Sequence, residues 1–288
     1  MARSIRDGST RSSCRQCRHP IPLPRGICPK QRPGEVVSDW RLAGRVAIVT
    51  GGAGSLGRAI SCRLAVDGCK LVVADRDAAA AREVESTIKQ EGGHALAVDT
   101  DVTSSESLHQ MIETALTAFG RIDYLVNNAG LLGPIKPIWE IPDTEVDRVY
   151  SVNVRAVFTC TRIAVQHMMA RRSGVIVTIA SVAGKDGPKD MSIYASSKAA
   201  VSAFTKSWAK ELAPFGIRVN CISPALIEDT GMQNEMPDWF KRDSVARIPM
   251  GRTARVDEVA NVVRFLLSDD ASFVTAACYD VSGGRASY

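Results

Sequence analysis

The stretch that decides the fold is Val46-Ala-Ile-Val-Thr50, followed directly by Gly51-Gly-Ala-Gly-Ser-Leu-Gly57. The apolar run predicts a buried strand, and the residues that follow the glycines predict a helix. A glycine-rich turn between strand and helix lets the backbone approach a pyrophosphate at the positive end of the helix. Glycines also form tight turns that bind nothing, so the flanking strand and helix are what favour nucleotide binding. We therefore expect cofactor contacts from Gly51, Ser55, Leu56 and Gly57.

A carboxylate ends the second predicted strand, Lys70–Asp75. In a dinucleotide-binding fold, an acid at this place accepts hydrogen bonds from ribose hydroxyls and repels a 2′-phosphate. Asp75 therefore predicts NAD in preference to NADP, although the neighbouring guanidinium of Arg76 could hold that phosphate. A helix N-cap is the alternative role for Asp75. After the third strand, Asp101 and Val102 are expected to meet the adenine, with Asp99 close enough to confuse the assignment.

Apolar strands alternate with amphipathic helices from Arg41 onward. The predicted strands are residues 46–50, 70–75, 95–99, 124–127, 175–180, 217–223 and 278–281. The predicted helices are roughly residues 56–67, 78–91, 104–119, 143–169, 194–213 and 256–267. Such alternation predicts a parallel sheet covered on both faces, and right-handed crossovers make it doubly wound. We expect one α/β domain of Rossmann type over residues 40–288, with about seven strands.

The net charge of the chain is concentrated in its first 39 residues. The 288 residues carry a formal charge of +5, and residues 1–39 hold seven arginines and Lys30 against Asp7, Glu35 and Asp39. The body is therefore neutral and has no net attraction for a phosphate backbone, so no nucleic-acid partner is expected. No apolar run reaches the roughly 18 residues that a membrane span needs, so no membrane partner is expected either.

Residues 1–39 are rich in Arg, Ser, Pro and Gly and lack apolar periodicity, which is typical of a disordered basic leader. Three alternatives stay open there: a zinc site, a mitochondrial-type presequence and a misassigned upstream start. The zinc site would use Cys14, Cys17, His19 and Cys28. The isolated cysteines of the body predict reduced thiols and a cytoplasmic location. The histidines of the body show no metal-ligand spacing, so no metal is expected.

Tyr194 and Lys198 place a phenol and an ammonium four residues apart on a predicted helix, where such residues share one face. A free tyrosine titrates near pH ~10, and a nearby cation lowers that pKa toward the range that proton transfer requires. Ser181, after the apolar run 175–180, could hold a substrate oxygen beside the tyrosine. By itself this spacing more often marks a solvated lysine near a partly buried tyrosine. The pair therefore needs support from the rest of the chain.

Small and amide residues end the fourth strand at Asn127-Asn128-Ala129-Gly130. Small residues there allow the chain to pass close to a cofactor, and the amides can tie neighbouring strands together. A plain turn at the end of a strand would use the same residues. We expect Asn128, Ala129 and Gly130 to lie against the cofactor.

Taken in order, these residues resemble the classical short-chain dehydrogenase/reductase family over about residues 40–288. The resemblance rests on Thr50-Gly51-x-x-x-Ser55-x-Gly57, the Asn127–Gly130 turn, Asn153, Ser181, Tyr194, Lys198 and Pro224. It implies that Tyr194 is the general acid/base and that Ser181 positions the substrate oxygen. It further implies that Lys198 lowers the pKa of Tyr194 and binds the nicotinamide ribose, and that Asn153 holds a water in the proton relay.

The resemblance also implies cofactor contacts from Tyr194, Lys198, Pro224 and the segment near Ile227. The chain departs from the family pattern in this region. Ser55 stands where the family has its second turn glycine, and Ala225 follows Pro224 where glycine is usual. Asp229 occupies the place of an expected threonine, with Thr230 one residue later. The nicotinamide contacts near Asp229 and Thr230 are therefore left open.

Three variable stretches are expected to line the substrate pocket: residues 131–139, 182–191 and 230–250, the last as a lid. Their apolar side chains predict a fairly apolar alicyclic or acyl alcohol or ketone, and packing under a loop is the alternative. Lys185 and Lys189 could meet an anionic group. The apolar faces of the helices at 143–169 and 194–213 exceed what one sheet surface needs. By resemblance they would pack between subunits of a homodimer or homotetramer.

The sequence thus predicts an NAD-dependent oxidoreductase that interconverts a secondary alcohol and a ketone, with Tyr194 as general acid/base. One alternative is an NADPH-dependent 3-ketoacyl-thioester reductase, against which Asp75 argues. A catalytically silent dinucleotide-binding regulator on the same fold is the alternative from another class. The intact set of Ser181, Tyr194, Lys198 and Asn153 argues against that regulator.

Overall fold

Seven parallel strands form one sheet in the computed structural model, which describes residues 42–286. The strands are β1 (Val46–Thr50), β2 (Lys70–Asp75), β3 (His94–Asp99), β4 (Tyr124–Asn127), β5 (Gly174–Ile179), β6 (Ile217–Pro224) and β7 (Cys278–Val281). Their order across the sheet is β3-β2-β1-β4-β5-β6-β7. This confirms the predicted doubly wound sheet. The expectations for residues 1–39, including the leader, the presequence and the zinc site at Cys14, Cys17, His19 and Cys28, lie outside the described residues.

Ten α-helices connect and flank these strands within the described part of the chain. They are α1 (Ser55–Val66), α2 (Ala78–Gln90), α3 (Ser105–Phe119), α4 (Asp143–Tyr150), α5 (Ala156–Arg171), α6 (Ala183–Asp186), α7 (Ser192–Leu212), α8 (Gly231–Asn234), α9 (Asp238–Ala246) and α10 (Val256–Leu267). No helix of the described residues is long and apolar enough to cross a membrane.

Alternate residues of β1 divide the hydrophobic core between the two faces of the sheet. Ala47 and Val49 pack with α1, α2 and α10 on one face. Ile48, between them, packs with α3, α5 and α7 on the other. Because successive strand side chains point to opposite faces, a fully apolar strand requires helices on both sides. The run Val46–Thr50 is buried throughout, as expected for a strand that is covered by helices on both faces of the sheet.

The order in which strands are added to the sheet reverses between β1 and β4, which are hydrogen-bonded neighbours. From β1 the order proceeds to β2 and β3 on one side and to β4 through β7 on the other. The loops after β1 and β4 therefore diverge and leave a crevice at the carboxyl ends of the strands. Ligands of open α/β sheets bind at such a switch point.

One predicted helix is interrupted in the structure. The sequence predicted a continuous helix over residues 143–169, but Ser151–Arg155 forms a π-helical turn between α4 and α5. A π-turn inserts an extra residue, so it rotates the side chains on either side relative to each other. Apolar periodicity cannot reveal this turn, because α4 and α5 each keep their own apolar face. Asn153 lies at the centre of the turn and is fully buried.

The segment predicted as a possible lid contains two helices that the sequence reading did not predict. These are α8 and α9, which follow β6 and are joined by a short connection. Their sequences are short and contain Gly231 and Pro237, which weaken any periodic signal. Thr230 caps α8 by accepting a hydrogen bond from the Gln233 N–H at 3.2 Å. The segment predicted as a loop therefore contains two short helices, α8 and α9.

Candidate active site

The glycine-rich turn excludes side chains where the chain passes closest to itself. Gly51 has a φ of +62°, in the left-handed region that L residues rarely adopt. A Cβ on Gly57 would lie 2.0 Å from the Gly51 carbonyl oxygen. Ser55 is not among the residues with positive φ, so it replaces the family's glycine without backbone strain. It begins α1, whose first N–H groups have no helical partner and are suited to an anion.

Thr50 and Asn128 join the ends of β1 and β4 at the switch point. The Asn128 amide group donates to the carbonyl oxygens of Thr50 at 3.0 Å and Gly51 at 2.9 Å. The Thr50 hydroxyl oxygen accepts from the backbone N–H groups of Asn128 and Ala129. Asn127 donates to Thr161 on α5 at 3.0 Å. The predicted role of these amides in tying neighbouring elements together is therefore confirmed.

Asp75 holds the rim of the glycine-rich turn. Its two carboxylate oxygens accept hydrogen bonds from the backbone N–H groups of Ala53 and Asp77, each at 3.0 Å. Each oxygen keeps a further lone pair for a ribose hydroxyl. The N-cap of α2 is Asp77, whose side chain accepts from the N–H groups of Ala79 and Ala80. The alternative role of Asp75 as a helix cap is therefore wrong.

Asp101 and Val102 lie on the wall of the same cavity as Asp75, and so does Asp99. The Asp101 carboxylate accepts from the Thr103 hydroxyl at 2.7 Å and from the Thr103 N–H at 2.9 Å. These hydrogen bonds lower the pKa of Asp101 because they stabilise its charged form. Contact of this segment with an adenine stays a prediction.

Tyr194 and Lys198 lie on the first turns of α7, as predicted. The Lys198 Nζ atom lies 5.8 Å from the centroid of the Tyr194 ring. It donates a hydrogen bond of 2.8 Å to the Ile179 carbonyl oxygen, which ends β5. Lys198 is only 4% exposed, and this burial lowers its pKa to about 8. The ammonium keeps two N–H donors beyond the one that Ile179 receives.

The pKa of Tyr194 moves opposite to the expectation. Burial raises the pKa of its phenol because a phenolate loses hydration there, and hydrogen bonding with Ser181 opposes this rise only in part. The predicted lowering by Lys198 is not seen, because burial also disfavours the charged lysine, whose Nζ is directed at Ile179. In this structure Tyr194 is therefore held as a neutral phenol, the form that can donate a proton.

Ser181 lies just beyond β5 with its hydroxyl oriented by the backbone. Its Oγ atom accepts a hydrogen bond of 3.1 Å from the Ala183 N–H at the start of α6. A hydroxyl that accepts on one side keeps its proton to donate on another. The same side chain interacts with Tyr194, so the two hydroxyl groups meet as predicted.

Asn153 braces the site from behind and does not line the cavity. Its Oδ1 atom accepts from the Leu131 N–H at 2.8 Å, and its Nδ2 group donates to the Leu131 carbonyl at 2.9 Å and to the Ser197 hydroxyl at 3.0 Å. The amide group has then used both of its donors. Asn153 thereby connects the loop after β4 to α7, and its expected water-holding role stays a prediction.

All the predicted site residues except Asn153 line one cavity of about 1050 Å³. Its walls include Gly51, Ser55, Leu56, Gly57, Asp75, Asp101, Val102, Asn128, Ala129, Gly130, Ser181, Tyr194, Lys198, Pro224 and Ile227. These residues follow β1 through β6 or begin the helices after them. The cavity thus lies along the carboxyl edge of the sheet, where ligands of this architecture bind.

The predicted substrate loops contribute unequally to this cavity. Of residues 131–139, only Leu131 lines it, and Trp139 is 83% exposed. From the lid segment, Met232, Met236 and Phe240 line it, whereas Trp239 is not on its wall. The edge-to-face contact between Trp239 and Phe240 leaves the tryptophan more than half exposed.

Thr230 is placed differently from Asp229 after Pro224, and contact of either residue with a nicotinamide stays a prediction. Thr230 lines the cavity, whereas Asp229 does not. Asp229 has a φ of +55°, so the chain turns sharply there before α8. The displaced threonine therefore reaches the cavity wall even though it comes one residue late.

Lys185 and Lys189 do not line the cavity. They lie instead on a neighbouring groove of about 620 Å³, and Lys185 forms an ion pair with Asp280 at 2.9 Å. Met191, at the end of the predicted stretch 182–191, lines the cavity, whereas sequence reasoning missed Arg148 and Arg285, which also line it. Arg285 could have been found, because it follows the last strand at the carboxyl edge of the sheet.

The residues present fit a nicotinamide dinucleotide. The cavity is floored by backbone where a Cβ at Gly57 could not be accommodated, and it extends from Asp75 to Tyr194. These are the parts that hold a pyrophosphate, a ribose and a reacting ring in this architecture. Within residues 42–286, no group of three or more His, Cys, Asp or Glu side chains is placed to hold a metal ion.

Comparison with known proteins gives the same family. The family model described as enoyl-(acyl carrier protein) reductase matches residues 51–286. The 3-oxoacyl-[acyl-carrier-protein] reductase FabG of Thermotoga maritima is 36% identical over 247 residues, covering 85% of this chain and 98% of that protein. The 2-dehydro-3-deoxy-L-rhamnonate dehydrogenase (NAD(+)) of Sphingomonas sp. is 37% identical, covering 86% and 98%. The cis-4-hydroxycyclohexanecarboxylate dehydrogenase of Sinomonas cyclohexanicum is 39% identical, covering 84% and 96%.

Solved structures agree with the sequence relatives. The 7α-hydroxysteroid dehydrogenase complexed with NADH and 7-oxo glycochenodeoxycholic acid matches with a TM-score of 0.82 at 35% identity, over 86% of this chain and 97% of that one. NAD⁺-bound xylitol dehydrogenase matches with a TM-score of 0.80 at 32% identity, over 85% and 100%. The chain therefore belongs to the classical short-chain dehydrogenase/reductase family. Within that family it is an oxidoreductase acting on CH–OH groups.

Proposed function

We propose that this protein is an NAD-dependent dehydrogenase that interconverts a secondary alcohol and a ketone. The observation that carries the proposal is that Tyr194, Ser181 and Lys198 line one cavity together with Asp75 and the glycine-rich turn. A bound nicotinamide supplies the hydride acceptor or donor. The chain's own residues orient the substrate and exchange its proton.

Tyr194 is the residue that exchanges a proton with the substrate oxygen. Its raised pKa favours the phenol, which donates to the oxygen of a ketone during reduction. In the oxidation direction the Tyr194 phenol first releases its proton to solvent, and the resulting phenolate accepts the hydroxyl proton of the alcohol. The Ser181 Oγ accepts from Ala183, and its hydroxyl group hydrogen-bonds Tyr194 in this structure, so a substrate oxygen that enters between them would take over the Ser181 donor. Lys198 offers its two remaining N–H donors to a ribose.

Asn153 serves as a positioning residue in this proposal. Both ends of its amide are bound to the backbone of Leu131, and its second donor reaches Ser197, three residues after Tyr194. Breaking this brace would loosen the loop after β4 relative to α7. We therefore place Asn153 behind the proton-transfer groups and not among them.

NAD is the proposed cofactor, with NADP disfavoured. The Asp75 carboxylate is held by Ala53 and Asp77 at the place where a 2′-phosphate would meet its charge. Arg76 also lines the cavity, and its guanidinium is the feature that could offset this repulsion. Relatives and neighbours named with NAD(+) or NADH are consistent with the preference. The similarity to FabG supports the alternative of an NADPH-dependent ketoacyl-thioester reductase, whereas Asp75 argues against it.

An apolar secondary alcohol is the proposed substrate class. Met191, Met232, Met236 and Phe240 surround the end of the cavity that contains Tyr194. These side chains offer no hydrogen bonds to the several hydroxyls of a sugar, and they suit an alicyclic or acyl body. A relative named for a hydroxycyclohexanecarboxylate and a neighbour named for a hydroxysteroid act on molecules of this kind.

A homodimer or homotetramer is the proposed assembly. Phe158 on α5 is 44% exposed, and it contacts Phe204 and Trp208 on α7 with ring centroids 5.8 Å away from each. An exposed aromatic cluster on two neighbouring helices is typical of a protein–protein interface. A second copy of this chain is the proposed occupant, in keeping with the family resemblance.

Residues 40–288 are proposed to form the whole catalytic domain. The family match begins at residue 51, and the described residues belong to one unit within Ser38–Tyr288. Kinetics of a chain without residues 1–39 would check this boundary. A cytoplasmic location is also proposed, because the five cysteines of the described residues are all free thiols.

Substitution of Tyr194 by phenylalanine tests the proposed reaction. We expect Tyr194→Phe to lower kcat for NAD-dependent oxidation of secondary alcohols by about 10²- to 10⁴-fold, because only the proton-transferring oxygen is removed. Calorimetric titration should show that NAD still binds. Full turnover by this variant would refute the role of Tyr194. Binding of NAD without turnover of any alcohol by the wild-type protein would favour the silent regulator.

A further inference from the structure

An arginine that the proposed proton transfer does not use lies on the wall of the active-site cavity. Arg285 follows β7 and lines the cavity. Its side chain is only 8% exposed, so the guanidinium is largely withdrawn from bulk solvent. Arginine is rarely buried unless it is paired, so the partners of this guanidinium determine how much of its donor capacity is left for a ligand.

Arg285 belongs to the substrate end of the cavity. It pairs with Asp186 of α6, five residues after Ser181. The strand order places β7 five strand spacings from β2, which is about 24 Å from the Asp75 end of the sheet edge. A group beside Asp186 therefore lies near the reacting end of the cavity and far from the adenosine end.

The hydrogen-bonding capacity of Arg285 is only partly used. Its Nε atom donates to an Asp186 carboxylate oxygen at 3.1 Å. Among residues 42–286, neither of its terminal nitrogens has a hydrogen-bond partner. The two terminal nitrogens form the end of a planar fork whose geometry matches a carboxylate bidentately. The fork is thus open to a ligand even though the charge is balanced by Asp186.

The other cations near the substrate end are engaged elsewhere. Arg148 lines the cavity, but Glu145 holds its Nε and Nη2 groups at 3.1 and 2.7 Å, and its side chain is half exposed. Lys185 and Lys189 lie on the neighbouring groove. Arg285 is therefore the cation best placed to meet an anionic group of a substrate whose oxygen reaches Tyr194.

We propose that Arg285 binds a carboxylate of the substrate, so that the enzyme acts on hydroxy acids with an apolar, alicyclic body. This inference rests on the proposed dehydrogenase function and adds a substrate class and a specificity residue to it. The methionine and phenylalanine side chains of the cavity receive the apolar body, while the hydroxyl is held by Ser181 and Tyr194. The carboxylate occupies the open end of the Arg285 fork.

Binding of a matched pair of unreactive probes tests the site without any turnover. Cyclohexanecarboxylate and cyclohexanecarboxamide have the same shape and differ in charge. Calorimetry in the presence of NAD should show the carboxylate binding about 10- to 100-fold more tightly to the wild-type protein. Arg285→Gln should abolish this ratio, and Arg285→Lys should restore part of it, because lysine keeps the charge but not the fork.

Two further variants separate recognition from a structural role. Lys189→Gln removes an equal charge from the neighbouring groove, outside the cavity, and it should leave the ratio unchanged. Asp186→Asn removes a carboxylate that competes for Arg285, and it should tighten carboxylate binding a few-fold. An Arg285 with only a structural role would instead make Arg285→Gln weaken both probes equally, which would overturn the inference. Equal binding of the two probes by the wild-type protein would overturn it as well.

Kinetics distinguish failure of this inference from failure of the proposed function. The comparison is kcat/KM with NAD for 4-hydroxycyclohexanecarboxylate, its methyl ester and cyclohexanol. We expect the acid to be preferred, and the preference to disappear in Arg285→Gln. Oxidation of ester and acid at equal rates would refute carboxylate recognition by Arg285 and support the dehydrogenase function. Arg285-dependent binding of the carboxylate probe without oxidation of any alcohol would support the anion site and refute the dehydrogenase function.

Discussion

At the scale of single residues, burial dominates the electrostatics of the proton-transfer site. Burial raises the pKa of the Tyr194 phenol and lowers the pKa of the Lys198 ammonium to about 8, so each group is driven toward its neutral form. The spacing of these two residues predicted mutual charge stabilisation, but it cannot report the dielectric around them. The pKa values of Tyr194 and Lys198 therefore describe the protein alone, and a bound cofactor and substrate would change the surroundings of both groups.

The buried Lys198 predicts a pH dependence of stability in the cofactor-free protein. Its pKa falls from 10.5 to about 8 on folding. Between these values the unfolded chain holds a proton that the native protein has released, so stability rises with pH in that window. Lys198→Met lacks this titration. We expect the Tm of the wild type, relative to that of Lys198→Met, to increase between pH 7 and pH 10 in thermal melts. A difference that is constant over this range would contradict the pKa shift.

Asp75 predicts how the cofactor preference responds to a single change. Asp75→Ala removes the carboxylate that would bind ribose hydroxyls and repel a 2′-phosphate, and it leaves Arg76 unopposed. We expect NAD affinity to fall about 10-fold or more and NADP affinity to rise, measured by calorimetric titration of both nucleotides. Tighter binding of NADP than of NAD by the wild-type protein would refute this argument.

At the scale of elements, two local structures shape the site: the glycine-rich turn before α1 and the π-turn before α5. The first was recognisable because glycines mark it in the sequence. The second was not, because Ser151–Arg155 contains no helix-breaking residue. Asn153 drew attention only through the family pattern. Its place in the π-turn explains how it reaches Leu131 and Ser197 at once.

Two glycines of the turn provide a matched test of its close packing. A Cβ on Gly57 would lie 2.0 Å from the Gly51 carbonyl oxygen, whereas one on Gly54 would lie 3.6 Å from it, which is ordinary contact. We expect Gly57→Ala to abolish detectable NAD binding and to lower the Tm. Gly54→Ala should change stability by less than about 1 kcal/mol and keep NAD binding. Equal behaviour of the two variants in calorimetry and thermal melts would contradict the described turn.

At the scale of the whole molecule, the sheet order explains how distant residues share one cavity. Asp75 ends β2, while Ser181 and Arg285 follow β5 and β7, and all three strands end at the same edge because the sheet is parallel. The same architecture leaves α5 and α7 side by side with an exposed aromatic cluster on their outer surface. The site and the proposed subunit interface thus share α7, which bears Tyr194.

The aromatic cluster predicts the effect of one charge on assembly. Phe158→Asp would place a carboxylate in the proposed apolar interface, where burial without a partner is costly. We expect the molecular mass in solution, measured by light scattering during gel filtration, to fall by half or more. Val66→Asp is the matched control, because Val66 is also well exposed but lies at the end of α1, away from the cluster. A mass that neither change alters would argue against this interface.

By itself, the sequence determined the strands, most helices and the glycine-rich turn, and it singled out Tyr194, Lys198, Ser181 and Asp75 as candidate site residues. These follow from local rules: apolar runs make buried strands, glycine permits close backbone approach, and one helical turn aligns i and i+4. Only the tertiary structure decided that Asn153 braces Leu131, that Thr230 takes the place of Asp229 on the cavity wall, and that Arg285 meets Asp186. Burial, pKa shifts and contacts between residues far apart in the chain arise from packing, and no local pattern encodes them.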